Sequence, residues 1–339
     1  MTPLLIADGR IATTAIVERL LRDAYDGVEV RTGEELVGVQ LAQRPIYISR
    51  LCHPRYAWLP AHLASRGAPY VYLLDDDFFA LDPGYDRANG AFFSHPEVHG
   101  SLTAFLRGAR AVWVMSEILG ERLRHRLPGL EVRYVPPPVD IALIDRARAE
   151  PPRKAAADAP FVVGYASSRR PNVAALLSAI VEGAAARFGQ TVAFEFIGYC
   201  PDAVAMHPNV TAIAPIADYA AFMRTMLARG WSAALAPLAD SAFENAKTNL
   251  KFREYGAAYL PGIYSRVPLY AACVRHEVTG LLVPNAAEAW LDAIAWLRAD
   301  PARRLQLARQ ARAEVEHRHA QPRVAAQLRN TFADCWSPR

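Results

Sequence analysis

Short apolar runs and amphipathic stretches alternate along the chain. Leu4–Asp8, Val28–Arg31, Ile46–Ser49, Pro69–Leu74, Ala111–Met115 and Val132–Val135 read as strands. Between them, Thr13–Tyr25 places Ile16, Leu20 and Leu21 on one helical face, and Tyr56–Arg66 is helical. Ser116 is a natural N-cap for a helix over Glu117–Arg126. The stretch from Ala147 to Pro160, rich in Ala, Arg, Pro, Lys and Asp, reads as a linker. The alternation then restarts. Strands are expected at Phe161–Tyr165, Val192–Gly198, Val210–Ile213, Ala233–Ala236, Gly262–Ser265 and Leu281–Val283. Helices are expected at Asn172–Phe188, Tyr219–Arg229, Asn249–Ala258, Ala287–Arg298, Pro301–His319 and Arg323–Phe332.

Strands alternating with helices of about 10–15 residues build βαβ units on a mostly parallel sheet. The expected fold class is α/β, with two Rossmann-like, doubly wound domains facing across a cleft. The boundaries read as 1–146 for the first domain, 147–160 for the linker and 161–320 for the second. Residues 321–339 form a C-terminal helix that packs back on the first domain. Open sheets of this kind bind ligands beyond the carboxyl ends of their strands, which makes the cleft the expected site.

Composition narrows the class. Of 339 residues, 52% are hydrophobic and 21% charged, which excludes wholesale disorder. No run approaches the roughly 18 apolar residues of a membrane span, and the first residues read as a strand and not as a signal peptide. Cys52, Cys200, Cys273 and Cys335 are scattered, which argues against a disulfide framework and fits a reducing cytoplasm. Residues 1–150 carry a net charge of −2 and residues 151–339 one of +6, a mild bias suited to an anionic ligand and too small to imply nucleic acid. Only three of the 38 basic residues are lysine, Lys154, Lys247 and Lys251. Two lie four positions apart, either by chance, with only three lysines to place, or because a compact ammonium is wanted there and a guanidinium fork would not fit. No G-x-G-x-x-G, Walker A, H-E-x-x-H or G-x-S-x-G motif is present, which argues against dinucleotide, P-loop, zincin and serine-hydrolase chemistry.

Three segments carry candidate chemistry. The first runs from Ala242 to Tyr255 and opens a helix after a strand. With a helix beginning near Lys247, Lys247, Lys251 and Glu254 share one stripe. The free N–H groups of Thr248, Asn249 and Leu250 attract anions, so two ammonium groups beside them make a diphosphate site. Glu254, two turns in, suits ribose hydroxyls. The ordinary alternative is a solvated face with a Lys251–Glu254 pair. The second segment, Gly164–Asn172, is a polar strand-to-helix loop whose Arg169 and Arg170 suit a bidentate phosphate clamp or a plain surface turn. In the third, Asp75, Asp76 and Asp77 end an apolar strand. They read as a D-x-D metal site, as carboxylates orienting an acceptor hydroxyl, or as turn caps. Two basic stretches, Arg122–Arg126 and Arg303–Arg329, suit a peripheral contact with an anionic membrane or, more ordinarily, a solvated face.

At these residues the sequence resembles the "group 1" retaining glycosyltransferases of the two-domain GT-B architecture. The likeness rests on the Lys247–Glu254 segment, its continuation through Gly256–Ser265, and Thr279–Asn285. Phe194–Gly198 and Val135–Asp140 follow the family's order, while the first domain matches loosely, chiefly at its aspartate strand. The resemblance implies a nucleoside-diphosphate sugar as donor substrate, no cofactor and no metal. Arg169, Arg170, Lys247, Thr248, Asn249, Leu250, Lys251, Glu254, Glu244 and Pro215 would form the donor side, with Glu254 on the ribose. Asp75 and Asp76 would orient the acceptor, with Lys251 on the leaving diphosphate, and Gly9 and Arg10 would form an acceptor-side loop. The family's first motif carboxylate is Ala246 here, so its role is vacant or falls to Glu244.

The expectation is a cytoplasmic glycosyltransferase, at most peripheral to the inner face of the membrane, with a glycan, lipid-linked saccharide or other hydroxyl acceptor and no nucleic-acid partner. Its rivals are a catalytically silent sugar-nucleotide-binding subunit and a GT-B sugar-nucleotide epimerase.

Overall fold

The computed structural model describes residues 2–9, 12–36, 39–41, 44–81, 87–148 and 159–336. The chain forms two compact units: Met1–Pro138 with Asn245–Thr248 and Arg318–Arg339, and Val139–Glu244 with Asn249–His317.

In the first unit, β1 (Leu4–Ala7), β2 (Glu29–Arg31), β3 (Ile46–Ser49), β4 (Val71–Leu74), β5 (Ala111–Val114) and β6 (Val132–Tyr134) form a parallel sheet in the order β2-β1-β3-β4-β5-β6. The fully buried runs of β1, β3, β4 and β5 are what a parallel sheet covered on both faces demands. The helices are α1 (Ala12–Tyr25), α2 (Leu59–Ser65), α3 (Arg87–Phe93), α4 (Pro96–Gly108) and α5 (Glu117–Arg126). The Ser116 hydroxyl accepts from the Leu119 amide and caps α5. On one face Leu59, Leu63, Leu102, Phe105 and Leu119 pack on the strands.

The second unit opens with α6 (Ile141–Arg148), whose Ile144 is buried among Met223, Met226 and Tyr255. That burial groups α6 with the second unit, where the sequence reading placed residues up to 146 in the first. The start of the expected linker, Ala147 and Arg148, is the last turn of α6, and residues 149–158 of it lie outside the described residues. There follow β7 (Phe161–Ser167), α7 (Ala174–Phe188), β8 (Val192–Gly198), β9 (Val210–Ile213), α8 (Tyr219–Ala228), β10 (Ala233–Ala236), α9 (Ala242–Asn245) and α10 (Leu250–Ala257). β11 (Gly262–Ser265), α11 (Pro268–Ala271), β12 (Leu281–Val283), α12 (Ala287–Ala299) and α13 (Pro301–His319) complete it. The sheet is parallel in the order β12-β11-β10-β7-β8-β9. Renumbered within the unit, this is the 3-2-1-4-5-6 order of a doubly wound sheet, with its switch point between β7 and β10.

The chain then returns to the first unit as α14 (Gln321–Thr331). Val324, Leu328 and Phe332 are buried against Val17 and Leu20 of α1 and against Trp113 of β5. Among the described residues, no helix is long and apolar enough to cross a membrane.

Candidate functional site

In each unit the carboxyl ends of the parallel strands carry the candidate chemistry. In the second unit it lies on the segment after β7 and the long segment after β10, which leads into α10.

α10 begins at Leu250, not near Lys247. Lys247 and Lys251 therefore do not share a helical stripe, which corrects the sequence reading. The physical reason is tertiary packing. Ala246 is fully buried in the apolar cluster of the first unit, and Asn245–Thr248 belongs to that unit. The Lys247 ammonium donates to Asp76 at 3.3 Å. Lys251 lies in the first turn of α10 and donates to the Glu254 carboxylate at 2.7 Å, with the Glu254 side chain only 3% exposed. The Phe222 ring lies 5.5 Å from the Lys251 nitrogen.

Several contacts fix the pitch of α10. The buried Arg253 donates to the Asn249 side chain at 3.0 Å, and the Tyr255 hydroxyl donates to the Leu235 carbonyl of β10 at 2.9 Å. The buried Gly256 lets α13 approach, because a Cβ there would lie 2.7 Å from Val315 and 3.0 Å from the Ala311 carbonyl oxygen.

The two arginines after β7 differ. Arg170 donates from one guanidinium nitrogen to both carboxylate oxygens of Glu244, at 2.8 Å each, and the Asn172 amide adds a bond at 3.3 Å. Glu244 is 1% exposed. Arg170 thus compensates a buried carboxylate, an arrangement the sequence reading did not expect of it. Arg169 is exposed, as are Pro215 beyond β9 and Leu250 at the start of α10. Thr248 and Asn249 are half-buried.

In the first unit the carboxyl end of β4 delivers three aspartates, each to its own partners. Asp75 accepts from Thr13 of α1 at 2.7 Å and from Arg50, directly after β3, at 2.9 Å. Its other carboxylate oxygen is buried with no hydrogen-bond partner among the described residues. Burial pushes the Asp75 carboxyl above its ordinary range and the neighbouring Asp76 adds to this, against the opposing pull of Arg50 and Thr13. Asp76 lies between Lys247 and Arg50, the latter at 3.7 Å. Asp77 pairs with Arg122 of α5 at 3.2 Å. Each aspartate is thus engaged by a side-chain cation, and among the described residues no group of three or more His, Cys, Asp or Glu is placed to hold a metal ion. Gly9, after β1, has a φ of +83° and is exposed. Arg10 lies outside the described residues.

Sequence reasoning missed Arg50 and Thr13. Arg50 adopts a φ of +58°, uncommon outside glycine, and packs its guanidinium 4.8 Å from the centre of the Phe78 ring. Its position directly after a buried strand was a signal. That β3 lies between β1 and β4 was not legible.

No protein-family model matches the sequence, and no curated protein matches it. Solved structures do resemble it. HepE of Anabaena, solved in complex with UDP, is 16% identical with a TM-score of 0.71, over 98% of this chain and 100% of that one. The same protein has been solved with UDP-glucose. A sucrose-phosphate synthase of Thermosynechococcus elongatus is 17% identical with a TM-score of 0.70, over 98% of this chain and 99% of that one. A trehalose-6-phosphate synthase, described in terms of glycosyl transfer with retention, is 12% identical with a TM-score of 0.67, over 99% and 100%. The chain is thus a two-unit α/β protein with doubly wound parallel sheets. Its fold is GT-B, the architecture the resemblance in the sequence implied.

Proposed function

We propose that this protein is a retaining glycosyltransferase that takes its sugar from a nucleoside diphosphate. The observation that carries the reading is the Lys251–Glu254 pair on α10, the helix reached through α9 from the switch-point strand β10 of a 3-2-1-4-5-6 sheet. That the similarly folded HepE binds UDP and UDP-glucose supports it. The first-turn amides of α10, the Lys251 ammonium and the exposed Arg169 would meet the charge that develops on the leaving diphosphate, with no metal needed. Glu254 would accept from ribose hydroxyls. Asn249, Leu250 and Pro215 complete the donor side of the second unit, while Thr248 and Lys247, the latter held by Asp76, belong to the first unit and are proposed for the donor on the strength of the sequence resemblance alone.

On the acceptor side, the unpartnered buried oxygen of Asp75 is the natural acceptor for a substrate hydroxyl, with Asp76 beside it and Gly9 on the adjoining loop. The acceptor class is a glycan, a lipid-linked saccharide or another alcohol. The test is a thermal-shift panel of nucleoside diphosphates and their sugars, uridine compounds first. One ligand should stabilise by RT ln(1 + [L]/Kd), about 2.7 kcal/mol at a hundredfold excess over Kd. No stabilisation by any member of the panel refutes the reading.

One observation favours a second reading, that the chain binds the donor without turning it over. Ala246 supplies no carboxylate, and Glu244 is tied to Arg170 and Asn172. Transfer or donor hydrolysis by the purified chain removes this alternative.

A further inference from the structure

The basic stretch Arg122–Arg126 has no part in the reading above. It lines a pocket of about 440 Å3 in the first unit, between α5 and the turn that follows the three aspartates. The apolar part of the wall is Phe79, Ala80 and the buried Leu123.

The geometry points to a second small-molecule site here, one that takes a single oxyanion, a carboxylate or a phosphate monoester, carried on an apolar ring.

Arg122 and Arg126 are four residues apart on α5 and share a helical face, where two like charges repel unless anions intervene. Asp77 supplies one such anion to Arg122, at 3.2 Å. Arg126 has none. Its guanidinium carbon lies 4.3 Å from the centre of the Phe79 ring. The ring seats the cation, whose N–H groups have no acceptor among the described residues. A guanidinium seated on an aromatic ring with its donors unused is placed for bidentate binding of an oxyanion. Phe79 is held in turn against His99, with ring centres 5.1 Å apart. The turn that carries Phe79 is closed by the Ala80 amide donating to the Asp77 carbonyl at 2.9 Å. Glu121 and His125, both exposed, line the same pocket. The Glu121 carboxylate disfavours an extended polyanion, which argues for a single oxyanion group and against a nucleoside diphosphate in this pocket. The apolar wall gives the ligand's ring a surface to cover.

Isothermal titration of the full-length chain with benzoate and with phenyl phosphate tests the assignment and separates its two anion classes. Inorganic phosphate and phenol serve as probes lacking the ring or the charge. Saturable binding of benzoate or phenyl phosphate is expected, weaker for both stripped probes. Arg126→Gln should weaken it about tenfold or more, with an unchanged melting temperature because the side chain is exposed. Phe79→Leu should weaken it too, since the ring that seats the cation would be lost. The assignment is overturned if neither ring anion saturates below about 20 mM, or if Arg126→Gln binds within about twofold of the parent chain. Neither ligand is a nucleotide, so the outcome is independent of the donor reading.

Discussion

Lys251 and Glu254 face each other across one turn of α10 at 2.7 Å, the carboxylate buried and the ammonium 19% exposed on its side chain. A buried carboxylate with a partly open ammonium as its partner can share that cation with an arriving diphosphate. Lys251→Ala is expected to lower kcat/KM for the donor by about 100-fold or more, the loss typical of a group acting on developing oxyanion charge. It should also cost about 1–3 kcal/mol, because Glu254 then lies buried with its cation removed. Steady-state kinetics, with urea denaturation of the same preparation, separates the two effects. A drop below about threefold in a folded variant removes Lys251 from that role.

Lys247 should behave differently. Its ammonium meets Asp76 at 3.3 Å, with both side chains about one-fifth exposed. Lys247→Gln should change stability by less than about 1 kcal/mol, as expected for partly solvated pairs. Its kcat/KM should fall less than that of Lys251→Ala. Equal losses would show that both amines act on the diphosphate despite their different contacts.

Asp75 makes stability depend on pH. Burial first, then Asp76, raises its carboxyl above the ordinary 3.8 in the folded state. The folded form therefore holds the proton more tightly than the unfolded chain. Its contribution to stability falls as pH rises from the unfolded value to the raised folded one, then levels off. Asp75→Asn lacks this titration. The stability of the variant relative to the parent should rise with pH above about 4 and then plateau. Chemical denaturation from pH 4 to pH 8 reads this out, and a difference independent of pH contradicts it.

Gly256 is set by packing. A side chain there meets Val315 at 2.7 Å and, more seriously, the Ala311 carbonyl oxygen at 3.0 Å, which cannot rotate away. Gly256→Val should cost about 3 kcal/mol through separation of α10 from α13. A melting temperature within a degree of the parent would show that α13 yields.

Glu195 ties three elements of the second unit together. It accepts from Arg229, and from the Trp231 indole at 2.7 Å, while the indole covers Gly164. Glu195→Leu leaves a buried indole N–H and a half-buried guanidinium unpaired and should cost about 2–3 kcal/mol by urea denaturation. Glu195→Gln, which keeps an acceptor, should cost less.

The strands were legible because buried parallel strands are short continuous apolar runs. Ile46–Ser49, Val192–Gly198 and Ala233–Ala236 lie where the sequence placed them. The Ser116 cap was legible because its hydroxyl acts on an amide three residues away. α3 and α4 were not. α4 begins at His95-Pro96, where the His95 ring accepts from the Glu97 amide, an unusual cap with weak sequence signal. α6 was hidden beside the expected linker, since only its packing on α8 distinguishes it from polar chain.

The candidate site divides the same way. The residue types were readable in order: scarce lysines, a carboxylate two turns on, three aspartates ending a strand. Which group meets which was not readable, because charged side chains choose partners by distance in space. Arg170 turns to Glu244, 74 residues away, and Lys247 turns to Asp76, 171 residues away. Local periodicity determined the βαβ architecture, since apolar spacing acts within a few residues. The ion pairs at the carboxyl ends of both sheets, and the Arg50 that joins Asp75 to Asp76, were decided by strand order, which only the folded chain specifies.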